Sequence, residues 1–189
     1  MSLSNYNLFD MINASPGRDG AWSWIGLLLA YGTVWLAIVG LLLLWHHADG
    51  VRRHDVILVC FAAVSALVAS EMIALLCPQP RPVALHMGVQ LNPFPMRGAS
   101  LPSDETAVLL AMGLAAFGTR ALAIFGFPLL TLGLLTAWSL VYTGEHFPYD
   151  VAASLPVAAV CAALSCMARA ILLWRLRRCR RQDGVNAQA

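Results

Sequence analysis

The chain has no lysine, and all twelve of its cationic side chains are arginine. Charge of either sign is scarce, at 12% of 189 residues, where a soluble domain carries about 25%. With 59% hydrophobic residues and a mean hydropathy of +0.70, these values exclude an ordinary water-soluble domain. The net charge of +2 is too small to suggest a nucleic-acid partner, and none is expected. Cysteine is sparse: Cys60, Cys77, Cys161, Cys166 and Cys179 form no C-x-x-C and pair with no histidine at zinc spacing. That pattern excludes a zinc ribbon and gives no sign of a disulfide framework. Residues 1–20 lack a basic n-region and an apolar h-region, so no secretory leader is expected there. There is no internal repeat and no low-complexity tract.

What the chain does have is long apolar runs. Five are expected to span a membrane: Trp22–Trp45, Asp55–Cys77, Pro102–Thr119, Ala121–Tyr142 and Asp150–Trp174. The first carries no charge and is long enough for ~36 Å of helix. The third is short and acidic at its start. The stretch Leu3–Asn13, with Leu8, Phe9, Met11 and Ile12 apolar, reads as an amphipathic helix on the membrane surface. The expected fold is therefore all-α, a polytopic membrane helical bundle of about five transmembrane helices plus this surface helix. Residues 1–174 would form one domain and 175–189 a basic cytoplasmic tail.

Arginine placement orients the bundle. Arg52 and Arg53, then Arg120, then five arginines from Arg175 to Arg181 fall on one side, which the positive-inside rule makes cytoplasmic. The loop 78–101 and the turn 143–149 then lie outside. Three segments meet at that outer edge: Cys77-Pro78-Gln79-Pro80-Arg81-Pro82, Ser100-Leu101-Pro102-Ser103-Asp104-Glu105, and Gly144-Glu145-His146-Phe147-Pro148-Tyr149-Asp150. Ionisable residues at membrane depth are costly, which marks these as functional candidates. Arg81 offers a planar fork for phosphate oxygens. Pro102-Ser103 leads into a helix whose free N–H groups suit an anion. His146 with Asp150 offers a nucleophile or base and an orienting carboxylate.

Each residue also has a plainer reading. Asp104 and Glu105 suit the first turn of any helix, where acids complement the dipole. Arg81 could anchor at headgroups, and His146 with Asp150 could close a turn. His46, His47 and His54 read as interfacial residues, and His86 has no partner in sequence. Glu71 reads equally as a structural neutral acid or as a partner for Arg81.

The three segments resemble the motifs of the type 2 phosphatidic acid phosphatase superfamily. Within it, the bacterial undecaprenyl pyrophosphate phosphatases of the bacitracin-resistance type are the nearest likeness. Those motifs are Lys-x6-Arg-Pro, Pro-Ser-x-His and Ser-Arg-x5-His-x3-Asp. Here Arg81-Pro82, Pro102-Ser103, and Ser139, His146 and Asp150 match, with Gly144 and Pro148 in place. The lysine slot holds Ala74, the second-motif histidine slot Glu105, and the third-motif arginine slot Leu140. The resemblance implies a bacterial inner-membrane enzyme with its active face periplasmic. It implies hydrolysis of a lipid-linked phosphate or pyrophosphate, undecaprenyl pyrophosphate preferred, through a phosphohistidine. His146 would be the nucleophile, Asp150 its orienter and Glu105 the acid; Arg81, Pro102, Ser103 and Gly144 would bind substrate. The family needs no cofactor. With two cations missing, a divalent cation on Asp104, Glu105 or Glu145 is the one addition the residues suggest. The rivals are a lipid-to-lipid phosphotransferase and a catalytically silent member that binds or carries a polyprenyl or other lipid.

Overall fold

The computed structural model describes residues 3–15, 20–94 and 98–186. Pro95 of the proline-rich loop, and the side chains of Arg177, Arg180 and Arg181 in the basic stretch, lie outside the described residues. The described chain is all helical, in the order α1 (Leu3–Ile12), α2 (Ala21–Leu27), a π-helical turn (Leu28–Gly32), α3 (Thr33–His47), α4 (Gly50–Leu76), a 3-10 turn (Pro82–Leu85), α5 (Asp104–Phe117), α6 (Ala123–Tyr142) and α7 (Pro148–Asn186). The α2–π–α3 run is continuous over Ala21–His47. With Arg52–Leu76, Ala123–Tyr142 and Pro148–Arg175 it makes four helices long and apolar enough to cross a membrane. The protein is a multi-pass membrane protein.

The expected third span differs. Its helix begins at Asp104, not Pro102, and at 14 residues it is shorter than a full span. Its length matters less because it sits at the centre, packed against α4, α6 and α7. Nine of its residues are buried, four of them alanines and one a glycine, so neighbouring backbones can close in. In lipid that close contact, rather than water exclusion, holds helices together. The seam with α6 shows it. A Cβ on Gly133 would lie 2.8 Å from Leu110, on Gly113 2.8 Å from Leu130, and on Gly126 2.9 Å from Phe117. Gly126 and Gly133 are seven apart, and the next step of seven along α6 reaches Leu140, at the level of the α5 N-terminus.

Polar clamps tie the other helices. Thr33 and Thr136 share a hydroxyl–hydroxyl bond of 2.6 Å between α3 and α6. Ser165 donates to Leu58 O at 2.6 Å, joining α7 to α4. Arg169 Nε meets Asp55 Oδ1 at 2.9 Å between the same two helices, and Asp55 is buried. Pro148 opens α7, where its missing N–H is harmless and its φ already suits a helix. This helix runs on through the basic stretch to Asn186.

The surface helix α1 is amphipathic, but its apolar face is docked on protein. Phe9 is fully buried against Phe147, with ring centroids 5.1 Å apart, and Tyr6 meets the same ring edge-on at 5.6 Å. Leu3 and Met11 point outward. So α1 packs over the α6–α7 turn.

Candidate active site

The turn between α6 and α7 ends one helix and starts the next within five residues, and its amides fold back into the end of α6. Gly144 N–H bonds Val141 O, while Glu145 and His146 N–H both reach Leu140 O at 2.9 and 3.2 Å. Gly144 adopts φ +85°, and a Cβ there would lie 2.5 Å from Val89 O. Only glycine combines that left-handed backbone with so close a neighbour. Its N–H and its carbonyl, which accepts from Gln90, are both engaged within the protein. Gly144, expected to bind substrate, is also the residue whose left-handed backbone shapes the turn.

A strap from the proline-rich loop runs along this turn. Leu91 N–H donates to Thr143 O at 3.1 Å, Gln90 Nε2 donates to Gly144 O, and Asn92 Nδ2 donates to Glu145 Oε1 at 2.9 Å. Asn13, just past α1, closes the other end. Its Nδ2 donates to Val89 O at 3.0 Å and Tyr142 O at 3.1 Å, and its Oδ1 accepts from Val89 N–H at 2.7 Å. Asn13 and residues 89–92 thus brace the turn.

The site residues converge inside this frame. His146 is buried; its Nδ1 lies 2.7 Å from Ser100 O and its Nε2 3.0 Å from Arg81 Nη1. A carbonyl can only accept, so Nδ1 carries the proton and Nε2 keeps its lone pair. Burial, then the Arg81 cation, push His146 down to about 3, while the Ser100 carbonyl pulls the other way. The imidazole is neutral at physiological pH, the form a nucleophile needs.

Asp150 does not contact the imidazole as expected of an orienting carboxylate. Its Oδ2 accepts from the Ser100 hydroxyl and from Phe147 N–H, the latter at 3.1 Å. It fixes Ser100, and the Ser100 carbonyl fixes His146. Ser100 N–H in turn donates to Gln79 O at 2.8 Å, which brings the Arg81 segment into register.

Arg81 is buried at the N-cap of the 3-10 turn, and its Nη1 also reaches Glu145 O at 3.3 Å and Glu145 Oε2 at 3.9 Å. Its Nε is buried without a hydrogen-bond partner among the described residues. Such a donor is costly unless something accepts from it, which fits a site for an anionic oxygen.

Pro102 and Ser103 are buried at the start of α5. Ser103 caps that helix by accepting from Thr106 N–H at 3.4 Å, and its hydroxyl lies 3.2 Å from Glu105 Oε2. Ser154 Oγ donates to Ser103 O at 2.8 Å, fixing the α5 N-terminus to α7. Leu140 is fully buried, so its slot is filled by an apolar side chain. The three carboxylates suggested for a metal have separate partners. Glu145 Oε1 accepts from Tyr31 OH at 2.7 Å, Glu105 faces Ser103, and Asp104 lies beside Glu71. Among the described residues no three His, Cys, Asp or Glu side chains form a group that could hold a metal ion.

A cavity of ≈ 720 Å³ opens between α3, α4 and α5. Its wall is apolar, including Val34, Trp45, Val56, Leu67 and Met112, with Asp104 and Glu105 at one end.

The helical membrane bundle brings a buried histidine and a buried arginine together at the α6–α7 turn. The chain belongs to the PAP2 superfamily, whose family model matches residues 55–174. It is 32% identical over 158 residues to "Undecaprenyl-diphosphatase BcrC" of Bacillus subtilis (strain 168), covering 82% of this chain and 79% of that protein. It is 32% identical over 155 residues to "Putative undecaprenyl-diphosphatase YbjG" of Escherichia coli (strain K12), covering 80% and 75%. The crystal structure of Aquifex aeolicus LpxE shares the fold, with a TM-score of 0.71 at 24% identity over 87% of this chain and 95% of that one.

Proposed function

We propose that this protein hydrolyses a lipid-linked phosphate or pyrophosphate, with undecaprenyl pyrophosphate the preferred substrate, at the periplasmic face of a bacterial inner membrane. The observation that carries the reading is His146, neutral and buried, with Nε2 3.0 Å from Arg81 Nη1 and Nδ1 tied to Ser100 O. The two relatives named as undecaprenyl-diphosphatases support the substrate class. The apolar cavity supports it too: its wall suits a hydrocarbon chain, and Asp104 and Glu105 at its end lie at the α5 N-terminus. The arginine clusters at the opposite end of the bundle support the outward orientation.

In this mechanism Arg81 holds the reacting phosphoryl group and Nε2 of His146 attacks phosphorus. The bond from phosphorus to the leaving oxygen breaks, and Glu105 gives that oxygen a proton. Water then attacks the phosphohistidine, the P–N bond breaks, and Glu105 takes the water's proton. The two steps together restore the starting enzyme, with water the only co-reactant. Ser103 keeps Glu105 within reach of the α5 N-terminus, where the helix dipole favours the phosphate.

The test is phosphate release by the purified protein from undecaprenyl pyrophosphate, undecaprenyl phosphate and phosphatidic acid. Release that disappears in His146→Ala supports the reading. No release from any of the three would favour the silent lipid-binding member, in keeping with Ala74 and Leu140 in the cation slots. Phosphorylated lipid appearing in place of free phosphate would favour the transferase.

A further inference from the structure

Glu145 stands one residue before the nucleophile, fully buried, at a position that hydrolysis as described above does not use. A carboxylate there is unexpected, because it competes with an incoming phosphate for the same cation. Arg81 Nη1 is shared among Glu145 O, Glu145 Oε2 and His146 Nε2, at 3.3, 3.9 and 3.0 Å. The other carboxylate oxygen of Glu145 is held by different partners. Tyr31 OH donates to Oε1 at 2.7 Å and Asn92 Nδ2 donates to it at 2.9 Å, while Asn92 Nδ2 also reaches Tyr31 OH at 2.7 Å.

Tyr31 lies in the π-helical turn Leu28–Gly32, which interrupts an otherwise α-helical span. π-helical turns are rare and often mark functional sites. Here the wider turn carries the residue that meets Glu145. Asn92 comes from the strap, where Phe94 N–H donates to its Oδ1 at 2.9 Å. Glu145 is therefore gripped from a membrane helix and from the loop at once, while its second oxygen faces Arg81.

We propose that Glu145 is an exchangeable counter-ion of Arg81: phosphate entering the site displaces the carboxylate, and Tyr31 and Asn92 hold the displaced carboxylate until product leaves. The exchange rests on the phosphate-site reading of Arg81 given above. It makes Glu145, Tyr31 and Asn92 determinants of phosphate affinity, with opposite signs. Removing the charge of Glu145 removes the competitor and strengthens binding. Removing a donor from Tyr31 or Asn92 leaves the carboxylate more dependent on Arg81 and weakens binding.

The probe is inorganic phosphate, titrated against thermal unfolding of the full-length protein in detergent, with turnover of undecaprenyl pyrophosphate measured on the same preparations. Glu145→Gln should bind phosphate about tenfold more tightly, since a like charge near 4 Å is lost. Tyr31→Phe and Asn92→Ala should each bind it about fivefold more weakly, the scale of one hydrogen bond to a charged group. In the Tyr31→Phe/Glu145→Gln double variant the Tyr31 effect should vanish. Weaker or unchanged binding by Glu145→Gln, or a Tyr31 effect that persists in the double variant, overturns the proposal. If Glu145→Gln does not fold, unchanged phosphate affinity in both Tyr31→Phe and Asn92→Ala overturns it equally. A wild type that binds phosphate but turns over no lipid rejects hydrolysis while leaving the exchange to be decided by these affinities.

Discussion

Ser100 stands between Asp150 and His146: its hydroxyl is bound by the carboxylate and its carbonyl, 2.7 Å from Nδ1, fixes the imidazole. The same hydroxyl lies 3.4 Å from Nδ1, so the carboxylate reaches the proposed nucleophile through Ser100 rather than directly, and its charge is felt at one remove. Asp150→Asn should lower turnover by about a hundredfold, less than the loss in His146→Ala. Ser100→Ala keeps the carbonyl and should cost about tenfold or less. The double variant should match Asp150→Asn alone, because both changes cut the same relay. Steady-state rates of the four proteins check this, and additive losses would contradict it.

The acid limb of activity should not follow an ordinary histidine. Burial and Arg81 put His146 at about 3, below its usual 6.5. Its neutral form therefore persists in the free enzyme well below pH 6.5. The sign for stability is opposite to that of a paired histidine. The unfolded chain gains a proton as pH falls below 6.5 and the folded chain does not until about 3. Stability contributed by this site declines across that window, at ~1.4 kcal/mol per pH unit. Melting of wild type and His146→Gln between pH 7 and 5 should show the wild type losing more.

Asp55 and Arg169 tie α4 to α7, and Asp55 Oδ2 has no partner among the described residues. Arg169→Ala leaves a buried carboxylate without its cation and should destabilise the fold by about 3 kcal/mol. Replacing the pair with Leu and Met should recover most of that loss. Thermal melts in one detergent compare the three proteins.

Glu105 carries the proton for the leaving group in this account. Glu105→Gln keeps the shape and loses the acid, and should slow turnover by about a hundredfold. Glu105→His should retain a substantial part of the rate. Because the site carboxylates turn to separate partners, turnover should survive a chelator at pH 7. Loss of activity in chelator, restored by magnesium or manganese, would contradict that.

Much of this was legible from spacing. His146, Asp150, Arg81 and Ser103 sit at the ends of apolar runs, and the parity of those runs put them on one side. The shortness of the α5 run was legible. Its central, buried position was not, because an apolar helix reads the same in sequence whether lipid or protein surrounds it. The roles of Asn13, Tyr31, Gln90 and Asn92 were not legible at all. Tyr31 looked like any aromatic in a span, and its partner is 114 residues away. Asn13, Gln90 and Asn92 lie in irregular segments, whose partners are set by how the loop closes over the turn. Ser100 was in view beside Pro102-Ser103, but its action through a carbonyl carries no side-chain signature.

The central claim is that Nε2 of His146 takes the phosphoryl group. The most direct measurement is an alkaline quench of the protein turning over undecaprenyl pyrophosphate labelled in its terminal phosphate, followed by peptide mapping. The account predicts a base-stable, acid-labile phosphate on the peptide containing His146, absent from His146→Ala. Undiminished phosphate release by purified His146→Ala, with no labelled peptide in the wild type, would contradict it.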